Sequence, residues 1–455
     1  MKPLLVLNVV GLTPALLGGA PNLRKLAASG FEARLGAVLP AVTCSAQSTL
    51  LTGLLPRGHG IVGNGWYFRD LSEVWFWRQS NRLVAGKKVW EAGRERNPGF
   101  TCAKLFWWYN MYSSADWSVT PRPIYAADGR KFPGIYTHPR QLKSLLDLEL
   151  GTFPLFNFWG PAADLRSSEW IARAARLVID AHRPTLTLVY LPHLDYDLQR
   201  HGPSSGRIQK EVLAIDRVAG ELIDHARGLD MEVIVLSEYG ITQVASSISI
   251  NRVLRRAGLL SVQETLGLEL LDAGASRAFA VSDHQVAHVY VRDPADTALV
   301  RDLLVATEGI EAVLGEEGKA EHGLDHPRSG ELIAISRRDR WFDYYYWLDD
   351  SHAPDFAPTV DIHRKPGYDP AELFLDPAQR FVKLKIMAKL LKKSLGFRYL
   401  MDVVPIESSL VRGSHGRLPD DPAQGPILLS SSRKESVSSL DMTAVPELIL
   451  ATILG

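Results

Sequence analysis

The chain has 455 residues and balances 51 Lys plus Arg against 51 Asp plus Glu, for a formal net charge of zero. That balance provides no long-range field for a nucleic-acid polymer or an anionic membrane, so any preference for anions has to be local. The length suits a large α/β enzyme folded as a single domain over 1–455 with insertions. Two cysteines, Cys44 and Cys102, cannot make a disulfide framework and point to a reducing, cytoplasmic compartment.

Leu4 to Val10 is an apolar run with Asn8 near its end, the pattern of a central parallel strand. In open α/β sheets that end is where ligands bind. The run is too short to span a bilayer and lacks a small-residue cleavage site, and no transmembrane segment is expected. Pro21 to Ser29 reads as a helix closed by Gly30. An apolar stretch then ends at Pro40, and a helix-like run through Ser48, Leu50, Leu51 and Thr52 stops at Gly53, which puts Thr43 at a strand-to-helix turn. A hydroxyl there lies beside the unpaired N–H groups of a helix N-terminus, which stabilise an anion. It becomes a nucleophile only if a base or a metal ion takes its proton; the simpler role is that of a helix cap. Cys44, next to it, reads as a small buried hydrophobe.

Thr43, Thr49, Leu50, Thr52, Gly53, Pro56, His59, Gly60, Ile61, Val62, Gly63 and Asn64 stand in one register. The run closely resembles the nucleophile segment of the nucleotide pyrophosphatase/phosphodiesterase family of the alkaline phosphatase superfamily. The resemblance implies an alkaline-phosphatase-like α/β fold, a central mostly parallel sheet flanked by helices, with inserted cap regions. It also implies Thr43 as a metal-activated nucleophile, Asn64 as donor to a phosphoryl oxygen and His59 as a structural residue. Residues 65–150 form an aromatic-rich insertion, in which Trp66 and Tyr67 are the candidates for a substrate pocket because they follow Asn64 so closely.

Further on, Glu169 to Ala181 reads as a helix and Leu186 to Leu191 as a buried strand. The strand runs into Asp195, Asp197, Gln199, His201 and Gly202-Pro203. The family carries Asp-x-x-x-His before Gly-Pro here. Anchoring on Gly202-Pro203 selects Asp195 and Gln199; sliding by two selects Asp197 and His201, and the turn favours the first register. Met231 to Leu236 is a strand followed by Ser237-Glu238-Tyr239-Gly240, where the family has Ser-Asp-His-Gly. Residues 262–380 read as an inserted α/β cap region with strands at Ala278 to Val281 and Ala287 to Val291; Ser282-Asp283-His284 within it mimics the metal motif out of order and is taken as a decoy. Asp361 and His363 share one face of an extended segment, as substrate contacts or ligands of an extra metal, and Arg364 with Lys365 could meet an anion. The alternative for that segment is a solvated loop whose charges pair with each other. Val382 to Leu395 is a basic amphipathic helix, of the kind that packs on its own core or lies on a membrane. Gly413-Ser414-His415-Gly416 resembles the family's Gly-Thr-His-Gly, and Asp441 to Leu454 its closing helix.

The family site holds two zinc ions. By this register the metal positions are Asn8, Thr43, Asp195, Gln199, Glu238, Tyr239 and His415, and three of the four departures remove a negative charge or an imidazole. Zinc is the cofactor implied by resemblance, whereas the oxygen-rich set suits magnesium or manganese. The expectation is a metal-dependent hydrolase or transferase acting on a small phosphate ester or phosphodiester through Thr43. The alternative is an altered or inactive member that binds a phosphorylated ligand, or a rebuilt enzyme acting on a different substrate. Nothing in the sequence fixes the oligomeric state.

Overall fold

The computed structural model describes residues 1–433 and 436–455. At its centre is a nine-stranded sheet in which Leu4–Val9 lies between Leu186–Leu191 and Glu232–Leu236, parallel to both. These three strands are buried along their length, save Glu232 at the start of one, as a sheet covered on both faces requires. Cys102–Leu105 and Trp117–Pro121 extend the parallel set on one side, and Ile135–His138 closes that edge antiparallel. These three strands come from the stretch read as an aromatic-rich insertion, so part of 65–150 completes the main sheet. On the other side Ile427–Ser430 pairs antiparallel with Glu232–Leu236 and with Phe31–Gly36.

The helices Leu165–His182 and Ile208–Gly228 pack against each other, and the closing helix Val445–Leu454 packs on Thr43–Thr52. Residues 262–380 include a four-stranded antiparallel sheet of Ala278–Asp283, Val286–Val291, Leu332–Ser336 and Ile310–Leu314, with an apolar core distinct from that of the main sheet.

Thr43–Thr52 is a buried helix capped by Val42, so Thr43 is its first residue and makes no capping bond. Its far end stops at Gly53 with φ of 72°, the left-handed conformation that ends a helix on glycine. His59 is wholly buried and accepts from the Ile61 amide while its other ring nitrogen meets the Thr49 hydroxyl at 3.0 Å, tying helix and following loop together.

Candidate active site

Three strand ends converge on Thr43. Asn8 comes from Leu4–Val9, Tyr190 from Leu186–Leu191, and Glu238 and Tyr239 follow Glu232–Leu236, the carboxyl ends where open α/β sheets hold ligands. The helix His193–His201 turns Asp195 and Gln199 inward. Asp197 points the other way and pairs with Arg200 at 2.9 Å, with His201 beside it. His415 is held over the site because Gly413 lies tight on that helix: a Cβ there would stand 2.1 Å from the Leu198 carbonyl oxygen.

Tyr239 takes the centre. Its phenol donates to Asp195 Oδ1 at 3.3 Å, a long bond, and meets Thr43 Oγ1 at 3.1 Å. With the phenol proton directed to Asp195, the Thr43 hydroxyl donates to Tyr239. Gln199 Nε2 donates to the other oxygen of Asp195 at 2.7 Å, and Gln199 Oε1 accepts from Tyr368 at 2.9 Å. Glu238 Oε1 accepts from Asn8 Nδ2 at 2.5 Å and Gln47 Nε2 at 2.6 Å. Burial pushes the Asp195 carboxyl up to about 7 and that of Glu238 up to about 8, against the opposing pull of these donors. His415 Nδ1 lies 2.8 Å from the Ala41 carbonyl, which makes it the protonated nitrogen; burial lowers the ring to about 3 and leaves Nε2 with a free lone pair, 4.0 Å from Asp195.

Ser282-Asp283-His284, read from the sequence as a decoy, reaches the site. Asp283 accepts from the Asn64 backbone at 2.7 Å and its side chain at 3.0 Å, and Asn64 Oδ1 accepts from the Cys44 amide at 3.0 Å. Asn64 is therefore held by its neighbours beside Thr43. His284 lies between Tyr368 and His415, and His415 on Tyr239, each ring centroid 3.6 Å from the next, so four rings form one wall of the site. Cys44 is buried and its thiol is pushed well up by desolvation, an inert hydrophobe.

A cavity of about 700 Å³ opens outward from Thr43, past Trp77, Trp108 and Trp159, and carries Asp361, His363 and Arg364 on its wall. Trp66 and Tyr67 do not line it: they pack in the hairpin Gly65–Phe68/Glu73–Phe76, where Trp66 stacks on Phe68 and the Tyr67 ring edges against Phe279. Proximity in sequence to Asn64 misled here because the hairpin turns these rings onto Phe68, Phe279 and Tyr290 instead of back to the cavity. The Asp361–His363 segment is a turn instead of an extended run. Lys365 does not meet the cavity; it is buried between Asp369 at 2.7 Å and Glu372 at 2.9 Å.

The donor set does not suit two zinc ions. Each half of the family's site holds one carboxylate, Glu238 or Asp195, and the amides and phenol beside it are turned into hydrogen bonds with that carboxylate. No cluster of three or more His, Cys, Asp or Glu side chains with metal-binding geometry occurs among the described residues. Zinc sites draw on imidazole, thiolate and carboxylate in sets of three or four.

Comparison with known proteins fits this architecture. The family model described as type I phosphodiesterase/nucleotide pyrophosphatase matches residues 4–369. An uncharacterized pyrophosphatase/phosphodiesterase of Schizosaccharomyces pombe is 27% identical over 241 residues, covering 50% of this chain and 42% of that protein. Venom phosphodiesterase of Naja atra is 24% identical over 236 residues, covering 50% of this chain and 24% of that protein. The chain thus spans less than half the length of these relatives. Among solved structures, an inactive substituted form of murine ectonucleotide pyrophosphatase/phosphodiesterase 5 in complex with AMP superposes with a TM-score of 0.60 at 15% identity, over 100% of this chain and 95% of that one. Phosphonoacetate hydrolase from Sinorhizobium meliloti, in complex with phosphonoformate, gives 0.61 at 14% identity, over 99% and 96%. The family model covers most of the chain, and the chain belongs to the type I phosphodiesterase/nucleotide pyrophosphatase family.

Proposed function

We propose that the protein is a hydrolase or transferase of small phosphate esters or phosphodiesters in which Thr43 is the nucleophile and its proton passes through Tyr239 to Asp195. The observation that carries this reading is the hydrogen-bond chain Thr43–Tyr239–Asp195 at the floor of the cavity. A carboxyl held near 7 is matched to accept a proton at neutral pH, and long catalytic hydrogen bonds tighten when substrate binds. Thr43 Oγ1 attacks phosphorus, the P–O bond to the leaving group breaks toward the open cavity, and the leaving oxygen takes a proton from solvent. Water or an acceptor alcohol then displaces Thr43 and gives up its proton to solvent, while Thr43 regains its own from Asp195 through Tyr239. No step is routed through a metal ion, because the donor set does not fit the family's pair.

One observation favours a second reading, a member that binds a phosphorylated ligand without turning it over: the Asn64 side chain is bonded to Asp283 and the Cys44 amide. Intact mass after incubation with bis(4-nitrophenyl) phosphate separates the two. The enzymatic reading expects nitrophenol release and a phosphoryl adduct on the wild type, both abolished in Thr43→Ala. Saturable binding with no release and no adduct supports the binder instead. Location of the protein in the cell, cytoplasmic by its cysteine usage, stays part of the proposal.

A further inference from the structure

The helix Val382–Ser394 has thirteen residues, five of them Lys and none acidic, and not one is buried. The sequence offered two roles for it, and packing one face on its own core is not what the fold does. Its inner side only borders the cavity, through Ile386, Leu390 and Lys393. The opposite side faces solvent with a stripe that large apolar groups rarely form on a water-exposed helix. Phe381, Leu384, Met387, Leu391, Leu395 and Phe397 are each 60–73% exposed. Leu384, Met387 and Leu391 recur at the helical spacing that puts them on one face.

Charge completes the pattern. No acidic residue occurs between Asp376 and Asp402, while that stretch carries Arg380, Lys383, Lys385, Lys389, Lys392, Lys393 and Arg398. Lys385 and Lys389 bond to Asp402, and Lys393 reaches the Lys131 carbonyl. A chain with no net charge therefore concentrates positive charge beside an exposed apolar stripe.

We propose that this helix docks the protein peripherally on an anionic membrane surface, its apolar stripe in the headgroup–acyl boundary and its basic residues on the lipid phosphates. An apolar face flanked by lysines is the signature of a helix lying in that plane, and basic residues near an anionic leaflet each add to the attraction. Among the described residues no helix is long and apolar enough to cross a membrane, so the association is a surface one. Because the inner side of the same helix borders the cavity, docking sets the cavity mouth at the lipid–water boundary.

The test is co-sedimentation of the full chain, without substrate, with vesicles of phosphatidylcholine containing phosphatidylserine and with vesicles of phosphatidylcholine alone. Binding is expected on the first and at least ~10-fold weaker on the second, falling as salt screens the charges. Leu384→Ser with Leu391→Ser, and separately Lys383→Glu with Lys392→Glu, should each weaken it ~10-fold or more at unchanged circular dichroism and melting temperature, since these side chains are exposed. No binding to either vesicle, equal binding to both, or a dimer in vesicle-free solution that Leu384→Ser dissociates would overturn the proposal, the last by showing a second copy on the stripe.

Discussion

At the scale of single residues the site turns on Tyr239. A phenol at this position stacks on His415 with an interplanar angle of 8° and sets its hydroxyl between Thr43 and Asp195, so one side chain links the Thr43 hydroxyl to the carboxylate. Tyr239→Phe keeps the stack and breaks the link. Turnover should fall by ~10²- to 10⁴-fold, the worth of a general base, with KM little changed, as steady-state kinetics would show. Much of this site was legible. The Gly202-Pro203 turn picked Asp195 and Gln199 over Asp197 and His201; the inward face of the helix brings Asp195 to the cavity, with Gln199 behind it as a hydrogen-bond donor. Asp283 and His284 were not legible as site residues. Asp283 reaches Asn64 across 219 positions, through a sheet whose docking on the main fold no local pattern encodes.

At the scale of elements, the segment from Asp361 to Leu373 shapes the cavity wall, and a buried cation holds it. Lys365 pairs with Asp369 and Glu372, while Glu372 also accepts from the Asp361 amide and the Trp159 indole, so the turn bearing His363 and Arg364 is pinned from behind. The sequence showed a charge-rich segment but not which charges face inward; a lysine between two carboxylates reads the same whether it meets a ligand or an internal pair. Lys365→Met leaves two buried carboxylates without their cation. A loss of about 3–5 kcal/mol is expected, measured by denaturant unfolding, with Arg364→Met, an exposed site, as the mild control. The basic helix Val382–Ser394 was legible as an amphipathic element, though only the fold, which buries none of its residues and leaves Leu384, Met387 and Leu391 in solvent, separates core packing from a free face.

The whole molecule buries titratable groups of both kinds, and their balance sets its pH response. Burial raises Asp195 and Asp283 to about 7 and Glu238 to about 8, while it lowers His59 and His415 to about 3 and His288 to about 4. A carboxyl raised in the folded state contributes stability that is full below its unfolded value and lost as pH rises through the folded one. A lowered histidine works the other way: its contribution is present above about pH 6.5 and lost on acidification. The two trends oppose each other between about pH 4 and 6.5, and only the carboxyls act above it. Thermal unfolding across pH should therefore show a plateau of greatest stability from about pH 4.5 to 6, where the three carboxyls and three histidines cancel, and a loss of about 3 kcal/mol from there to pH 8. A flat profile over that interval would mean that the carboxyls are already ionised in the folded chain.

Fold and family are legible from the Thr43–Asn64 segment and the strand ends, while the proposed mechanism rests on the Thr43–Tyr239–Asp195 chain. The most direct test is the hydrolysis of bis(4-nitrophenyl) phosphate by chelator-treated wild type and by Tyr239→Phe, each assayed from pH 5 to 9. The account predicts activity that survives the chelator, rises through about pH 7 as Asp195 ionises, and is lost in Tyr239→Phe. Activity abolished by the chelator and restored by zinc, manganese or magnesium, with Tyr239→Phe still active, would contradict it.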